Sequence, residues 1–359
     1  MTIKNFQIEY DAINRRNIFT NGDTINGRII LEASKETRIQ SLVFIAKGKA
    51  RVHFTEHYGI LGKTNPERTE DYRHKQKYYR LKQYILKETR QNGREMIGKG
   101  RHVFPFSFKI PDSTFPSSFS SVFGQIIHTL KAKVKQSMMP TRKAKTHFTF
   151  VSIAEMNLPG ITVSQRKSKE KHIALRSGVV SLEIYTRQMG YIPGEDLHVT
   201  AKITNLSNHS VKPKFVLDEK KTYNGGDYIK VDKHDILQEK ADALKSMSGT
   251  KTVTKVFTIP RELPPSILVC PIIKLEYRLK VYLDITYAPY IVLKLPIVIL
   301  PDLSDENLLP PSSSYICELL GTSYEPPTIT RLQAIDPPPP YEAAASYPLC
   351  SSSDYTTML

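Results

Sequence analysis

Three short segments of this chain occur twice, in the same order. Asn21-Gly22-Asp23-Thr24-Ile25, followed by Ser41-Leu42-Val43-Phe44-Ile45, recurs as Pro193-Gly194-Glu195-Asp196-Leu197, followed by Pro213-Lys214-Phe215-Val216-Leu217. Phe108-Lys109-Ile110-Pro111, with Pro116-Ser117 downstream, recurs as Phe257-Thr258-Ile259-Pro260, with Pro265-Ser266 downstream. His128-Thr129-Leu130-Lys131-Ala132-Lys133-Val134 recurs as Tyr277-Arg278-Leu279-Lys280-Val281-Tyr282-Leu283. The spacing between copies far exceeds the roughly 20–50 residues of a solenoid or propeller repeat, so the chain holds two similar domains in tandem.

Both copies are written in strands. A period of two places alternate side chains on one face of a sheet. The clearest run has Leu275, Tyr277, Leu279, Val281, Leu283, Ile285 and Tyr287 on one face. Ile25, Gly27, Ile29 and Leu31 alternate likewise, as do Phe104, Phe106, Phe108 and Ile110, and Val180, Leu182 and Ile184. Asn92-Gly93 and Asn224-Gly225-Gly226 supply the positive φ angles of tight hairpin turns. The turn at Asn92-Gly93 also favours a strand over an amphipathic helix for Tyr78–Arg90. Many strands, short turns and no alternating helices predict an all-β chain of two antiparallel, immunoglobulin-like sandwiches.

The charge is concentrated at one end. Of 359 residues, the last 59 hold eight acids against Arg331 alone, a net charge of −7; the remainder carries +23. The same segment has ten of the 24 prolines and repeated serine clusters, the composition of a disordered tail that acts through short motifs. The expected organisation is a sandwich over 1–158, a basic linker over 159–177, a second sandwich over 178–300 and a tail over 301–359. The most apolar stretch, Ile291–Leu300, is interrupted by Lys294 and Pro296 and falls short of the roughly 20 residues that span a bilayer. Met1–Tyr10 has no secretory pattern. Cys270, Cys317 and Cys350 are too few for a disulfide framework and too scattered for zinc, which reads as a reduced, intracellular chain with no cofactor.

The tail contains Pro337-Pro338-Pro339-Pro340-Tyr341. Proline fixes φ, so this run is pre-formed as a polyproline II helix and loses little entropy on binding. WW domains read such ligands in aromatic grooves, with Pro338, Pro339 and Tyr341 as the anchors. The C-terminus, Thr357-Met358-Leu359, also fits a PDZ ligand. In the body, Lys131, Lys133, Lys135, Arg142, Lys143 and Lys145 fall in a segment free of acids, and Arg166, Lys167, Lys169, Lys171 and Arg176 form a second run. These clusters suit acidic or phosphorylated cytosolic tails of membrane receptors and transporters, or an anionic membrane surface. They equally suit the solvated face of a strand.

Catalysis finds no support. His53-Phe54-Thr55-Glu56-His57 matches a zinc-protease pattern that requires a helix, whereas the preceding residues read as strand, which would set the histidines about 13 Å apart. Gly62-Lys63-Thr64 lacks the earlier glycine of a phosphate loop, since His57 stands there. Nucleic acid is the other partner such charge suggests, but there is no Trp and no ribonucleoprotein motif.

The tandem sandwiches, the Gly-Asp/Glu start signals, the Phe104-Pro105-Phe106-Ser107-Phe108-Lys109-Ile110-Pro111 stretch and the Pro-Pro-x-Tyr tail together resemble the arrestin domain-containing proteins, or α-arrestins. The resemblance covers essentially the whole chain. It implies arrestin N- and C-domains and a tail that recruits HECT-type ubiquitin ligases through their WW domains. The implied function is a non-catalytic adaptor, cytoplasmic and peripheral at the plasma membrane and endosomes, that sends membrane cargo to endocytosis and lysosomal sorting. A single Pro-Pro-x-Tyr, where family members often carry two, departs from that pattern and argues against bivalent ligase binding. A ligase-independent trafficking scaffold of the retromer-subunit kind is the alternative reading, and a nucleic-acid binder a more distant one.

Overall fold

The computed structural model describes residues 2–58, 68–87, 95–136, 139–173 and 178–303. The Asn92-Gly93 turn and the tail motifs, including Pro338, Pro339 and Tyr341, lie outside the described residues. In the first sandwich, β1 (Ile3–Tyr10), β3 (Thr24–Ala33) and β7 (Gly100–Lys109) form a three-stranded sheet in the order β1-β3-β7. The facing sheet runs β2-β10-β9-β4-β5, from β2 (Ile18–Phe19), β10 (Arg142–Phe150), β9 (Gly124–Gln136), β4 (Thr37–Tyr58) and β5 (Arg68–Lys87). Short strands β6 (Glu95–Ile97) and β8 (Phe119–Ser120) flank β4 and β9.

The second sandwich repeats this plan. One sheet runs β11-β12-β14-β17, from β11 (Gln165–His172), β12 (Gly178–Thr186), β14 (Asp196–Ser207) and β17 (Gly249–Thr258). The other runs β13-β19-β18-β15-β16, from β13 (Gly190–Tyr191), β19 (Ala288–Ile299), β18 (Ile273–Ile285), β15 (Val211–Asn224) and β16 (Ile229–Lys240). Even the parallel pairing of β2 with β10 returns as that of β13 with β19. The duplicated serines do the same work in each half: Ser117 Oγ accepts from the Ser152 N–H and Ser266 Oγ from the Ile299 N–H, both at 2.9 Å.

The duplication is one residue out of step with the sequence match in one strand. The match sets Phe44 against Val216, but Phe44 pairs with Ala132 while Phe215 pairs with Val281, the counterpart of Ala132. A one-residue slip moves every side chain to the other face, and burial of both phenylalanines in the cores decides the register.

Apolar faces meet as the alternation requires. In the first core Phe44 stacks on Phe106 with ring centroids 4.3 Å apart, beside Phe108, Phe148 and Phe150. Burying each such side chain stabilises the fold by roughly 1.5–3 kcal/mol. Gly27 faces this core because a Cβ there would sit 2.3 Å from the Glu9 carbonyl oxygen and 2.6 Å from the Phe106 ring. The second core extends into the first sandwich, taking in Ala50, Val52, Phe54 and Ile126. At that seam Lys230 Nζ lies 2.5 Å from Glu56 and 4.6 Å above the Phe123 ring, and the Tyr78 hydroxyl lies 3.1 Å from Cys270 Sγ.

Two expectations change. Gln165–His172, within the run read as a linker, is a strand that pairs with β12 along its whole length. It lacks alternation because it is an exposed sheet edge, and lysines there discourage pairing with other chains. Tyr287, read as the last core position of β18, sits in the β18–β19 turn at φ 59° and is 96% exposed.

Candidate anion-binding face

The strand β5 carries Lys75 and Lys77 on odd positions and Arg80 and Lys82 on even ones. A regular strand would send these pairs to opposite faces. Here the register between β4 and β5 shifts at Gly48/Lys49, where Tyr79 pairs with Gly48 and Lys77 with Lys49, so Tyr78 is an inserted residue. Such a bulge reverses the phase of the strand beyond it. Tyr78 and Tyr79 both turn inward, Tyr79 packing on Phe108, Phe115 and His128, and all four cations face outward.

The neighbouring strands add to this face. Lys47, Lys49 and Arg51 alternate with buried Ala46, Gly48, Ala50 and Val52 on β4. Lys131 and Lys133 on β9 stand opposite Lys145 and Lys143 on β10. Across the sheet, Ile45 pairs with Lys131 on one side and Lys82 on the other, while Lys47 pairs with Thr129 and Arg80. These side chains line a cavity of about 240 Å³ with seven cations: Lys47, Lys49, Lys75, Lys77, Arg80, Lys131 and Lys133. Its floor includes Ile45, only 3% exposed although it belongs to the outer face. The aliphatic stems of the long cations cover it while their heads stay in water. A second depression continues past Val43 to Lys135 and Tyr84, sharing Ile45, Arg80 and Lys133 with the first.

No carboxylate among the described residues pairs with these cations. The segments Leu42–Val52, Tyr72–Lys87, Gly124–Gln136 and Arg142–Phe150 contain no Asp or Glu. The nearby acids are used elsewhere: Asp71 accepts from Thr55 and pairs with His53 and Arg73, and Glu56 with Lys230. Partial burial, then the neighbouring cations, hold the ammonium groups of Lys47, Lys49 and Lys131 below the ordinary lysine range. His147, on the same face 3.4 Å from Thr129 Oγ1, is held down by burial and then by Lys145. Any anion that binds reverses these repulsions.

Of the expected residues, Lys131, Lys133, Lys135, Lys143 and Lys145 come together on this face. Arg142 does not. It lies on the opposite face of β10, where its guanidinium donates to the Ile3 carbonyl and ties the start of β1 to the sheet. Its place is a matter of parity, since inward Ala144 and Phe148 share its phase. In the second basic run Arg166 pairs with Glu183, and Lys171 donates to the Pro289 carbonyl at 2.6 Å. The residues missed in the sequence are Lys47, Lys49, Arg51, Lys75, Lys77, Arg80 and Lys82. Alternation of Lys47, Lys49 and Arg51 was a legible signal, but the phase change at Tyr78 was not. His53 and Glu56 lie on the strand β4, and no group of three metal-ligating side chains occurs among the described residues.

Two family models match the chain: arrestin (or S-antigen), N-terminal domain, over residues 6–157, and arrestin (or S-antigen), C-terminal domain, over residues 176–302. The chain belongs to the arrestin domain-containing (α-arrestin) family. Arrestin domain-containing protein 4 of Mus musculus is 28% identical over 287 residues, covering 78% of this chain and 68% of the relative. Thioredoxin-interacting protein of Homo sapiens is 24% identical over 308 residues, covering 83% of this chain and 74% of the relative. The two sandwiches are therefore arrestin domains, and the basic cavity lies on the outer face of the N-domain's β2-β10-β9-β4-β5 sheet. Members of this family are adaptors rather than catalysts.

Proposed function

We propose that this arrestin is a non-catalytic adaptor that links membrane-protein cargo to WW-domain HECT-type ubiquitin ligases. Pro338, Pro339 and Tyr341 hold the ligase. The N-domain face receives acidic or phosphorylated cytosolic segments of receptors and transporters, close to the anionic membrane surface. The observation that carries the reading is an acid-free cationic face on one arrestin domain of a chain that also bears a Pro-Pro-x-Tyr. Proximity is the mechanism: carrying both partners on one chain raises the ligase concentration at cargo lysines toward about mM, and no bond is made or broken on the adaptor itself. The protein works in the cytoplasm, peripheral to the plasma membrane and endosomes, and ubiquitinated cargo passes to endocytosis and lysosomal sorting. Thr357-Met358-Leu359 offers a PDZ domain a weaker second hold.

Calorimetry of the full chain against WW domains tests the ligase arm. Binding in the micromolar range should disappear in Tyr341→Ala, because the tyrosine fills its own pocket. Phosphorylation of Tyr341 should also abolish it by forcing a charge into an apolar groove. No binding by the wild-type chain would replace the ligase adaptor with a ligase-independent trafficking scaffold.

A further inference from the structure

On the outer side of the C-domain, β19 turns Lys294, Pro296 and Val298 away from the core, yet Val298 is only 4% exposed. Leu158 and Pro159, from the segment that joins the sandwiches, stand around it with Met189 and Leu268, and with Pro296 they line a hollow of about 390 Å³. The walls are pinned through the backbone. The Ile161 N–H donates to the Leu158 carbonyl at 3.3 Å, the Met189 N–H to the Ile161 carbonyl at 3.1 Å and the Val298 N–H to the Met189 carbonyl at 2.9 Å. The buried Glu155 carboxylate accepts from the Leu268 N–H at 3.2 Å and holds the remaining wall. At the rim Arg278 contacts Asp218, Glu276 pairs with Lys220, and Lys294 is exposed. The hollow is preformed and apolar, and an uncharged occupant displaces no ion pair there.

The path of the chain indicates what fills it. β19 leads to Leu303, the last described residue, and Val298 is five residues back, so no more than about 17 Å of chain separates the two. Leu308 and Leu309, the first apolar residues after Leu303, lie five and six residues further on, and the same reach returns them to Val298. Ser304-Asp305-Glu306-Asn307, which precedes them, is rich in turn-forming residues. Pro310 and Pro311 follow with φ already fixed, which lowers the entropy that docking costs. From Asn307 to Ser314 the chain carries no charge, as the rim requires. We propose that this hollow is the docking site of the chain's own Leu308-Leu309-Pro310-Pro311, the leucines over Val298 among Leu158, Met189 and Leu268, and the prolines along Pro296. Apolar pairs farther along the tail, such as Leu319-Leu320, would have a longer loop to close. Docking here fixes the point from which the Pro-Pro-x-Tyr is tethered. It requires neither cargo nor ligase, so failure of WW binding leaves it standing.

Disulfide trapping in the full chain tests the docking. Pro159→Cys and Asn307→Cys place thiols at the wall and beside the first leucine, in a background of Cys317→Ser and Cys350→Ser; Cys270 is fully buried and stays. Under mild oxidation the disulfide within one chain should form at least tenfold faster than in the same protein carrying Leu308→Asp and Leu309→Asp, because tethering alone is identical in the two. Both aspartates lie outside the sandwiches, and far-UV circular dichroism establishes that each variant is folded. Equal rates would reduce the docking to tethering and overturn it, as would the absence of any disulfide. A disulfide between chains that rises with protein concentration would assign the hollow to a second copy and overturn it as well.

Discussion

The β2-β10-β9-β4-β5 sheet of the N-domain and the β13-β19-β18-β15-β16 sheet of the C-domain share one strand order, but the charges on their outer faces are met differently. Leu130 and Leu279 occupy matching places in the repeat, and their partners are Ala46 and Leu217. The next cell on the outer face therefore holds Lys47 in the N-domain and Asp218 in the C-domain. Lys131 and Lys280 match one another beside it. In the C-domain, Asp218 is fully buried, contacts Arg278 and lies 2.7 Å from Lys280, while Lys220 pairs with Glu276 at 3.0 Å. That sheet consumes its own charge. In the N-domain sheet no described carboxylate meets Lys47 or Lys131, and the difference turns on side chains that neither backbone needs in order to fold.

The largest effect expected from this contrast is on stability. Asp218→Ala strands two cations in a site out of contact with most solvent and should cost about 3–5 kcal/mol, seen as a lower denaturation midpoint. Lys47→Ala, at the matching cell, should shift stability by no more than about 0.5 kcal/mol, with the sign toward stabilisation because it relieves repulsion. Equal losses from the two variants would break the comparison.

Acid should separate the domains almost as strongly. His128 and Tyr277 are counterparts in the repeat, and both are buried. The neutral imidazole donates from Nε2 to the Pro116 carbonyl at 3.2 Å and accepts at Nδ1 from the Tyr79 hydroxyl at 3.0 Å; Tyr277 donates to the Pro264 carbonyl at 2.8 Å. Burial pulls the His128 pKa down from 6.5 to about 4. The unfolded chain thus takes up a proton that the folded one refuses, so stability falls as pH drops below about 6.5 and levels off below about 4. The loss is about 3 kcal/mol at most. Tyr277, its pKa pushed up by burial, stays neutral throughout. Unfolding across this pH range should show the dependence reduced in His128→Gln; an unchanged profile would remove His128 as the cause.

The smallest effect is screening. Raising salt from about 0.1 M to about 1 M shortens the Debye length from about 10 Å to about 3 Å, so the wild-type chain should gain a few tenths of a kcal/mol from its N-domain face. Lys47→Asp, which gives that face the carboxylate of its counterpart, should gain less in parallel melts. Equal gains would mean the face is not under repulsive load.

The duplicated segments and the period-two alternation carried the strand content, the two sandwiches and the core positions, because burial acts on each strand through its own pattern. The acid-free segment around Lys131–Lys145 was legible for the same local reason, and the tail motif stands in the sequence as written. Three features were not. The inserted Tyr78 decides which face Lys75, Lys77, Arg80 and Lys82 share, and a bulge is fixed only by what packs beneath it, here Phe115 and His128. Arg142 leaves the basic face because strand phase, not proximity in sequence, aims a side chain. Lys47 and Asp218 became counterparts only when pairing corrected the repeat by one residue. Charge is read along the chain, but a charged site is assembled across strands, and that requires register, which long-range pairing alone supplies.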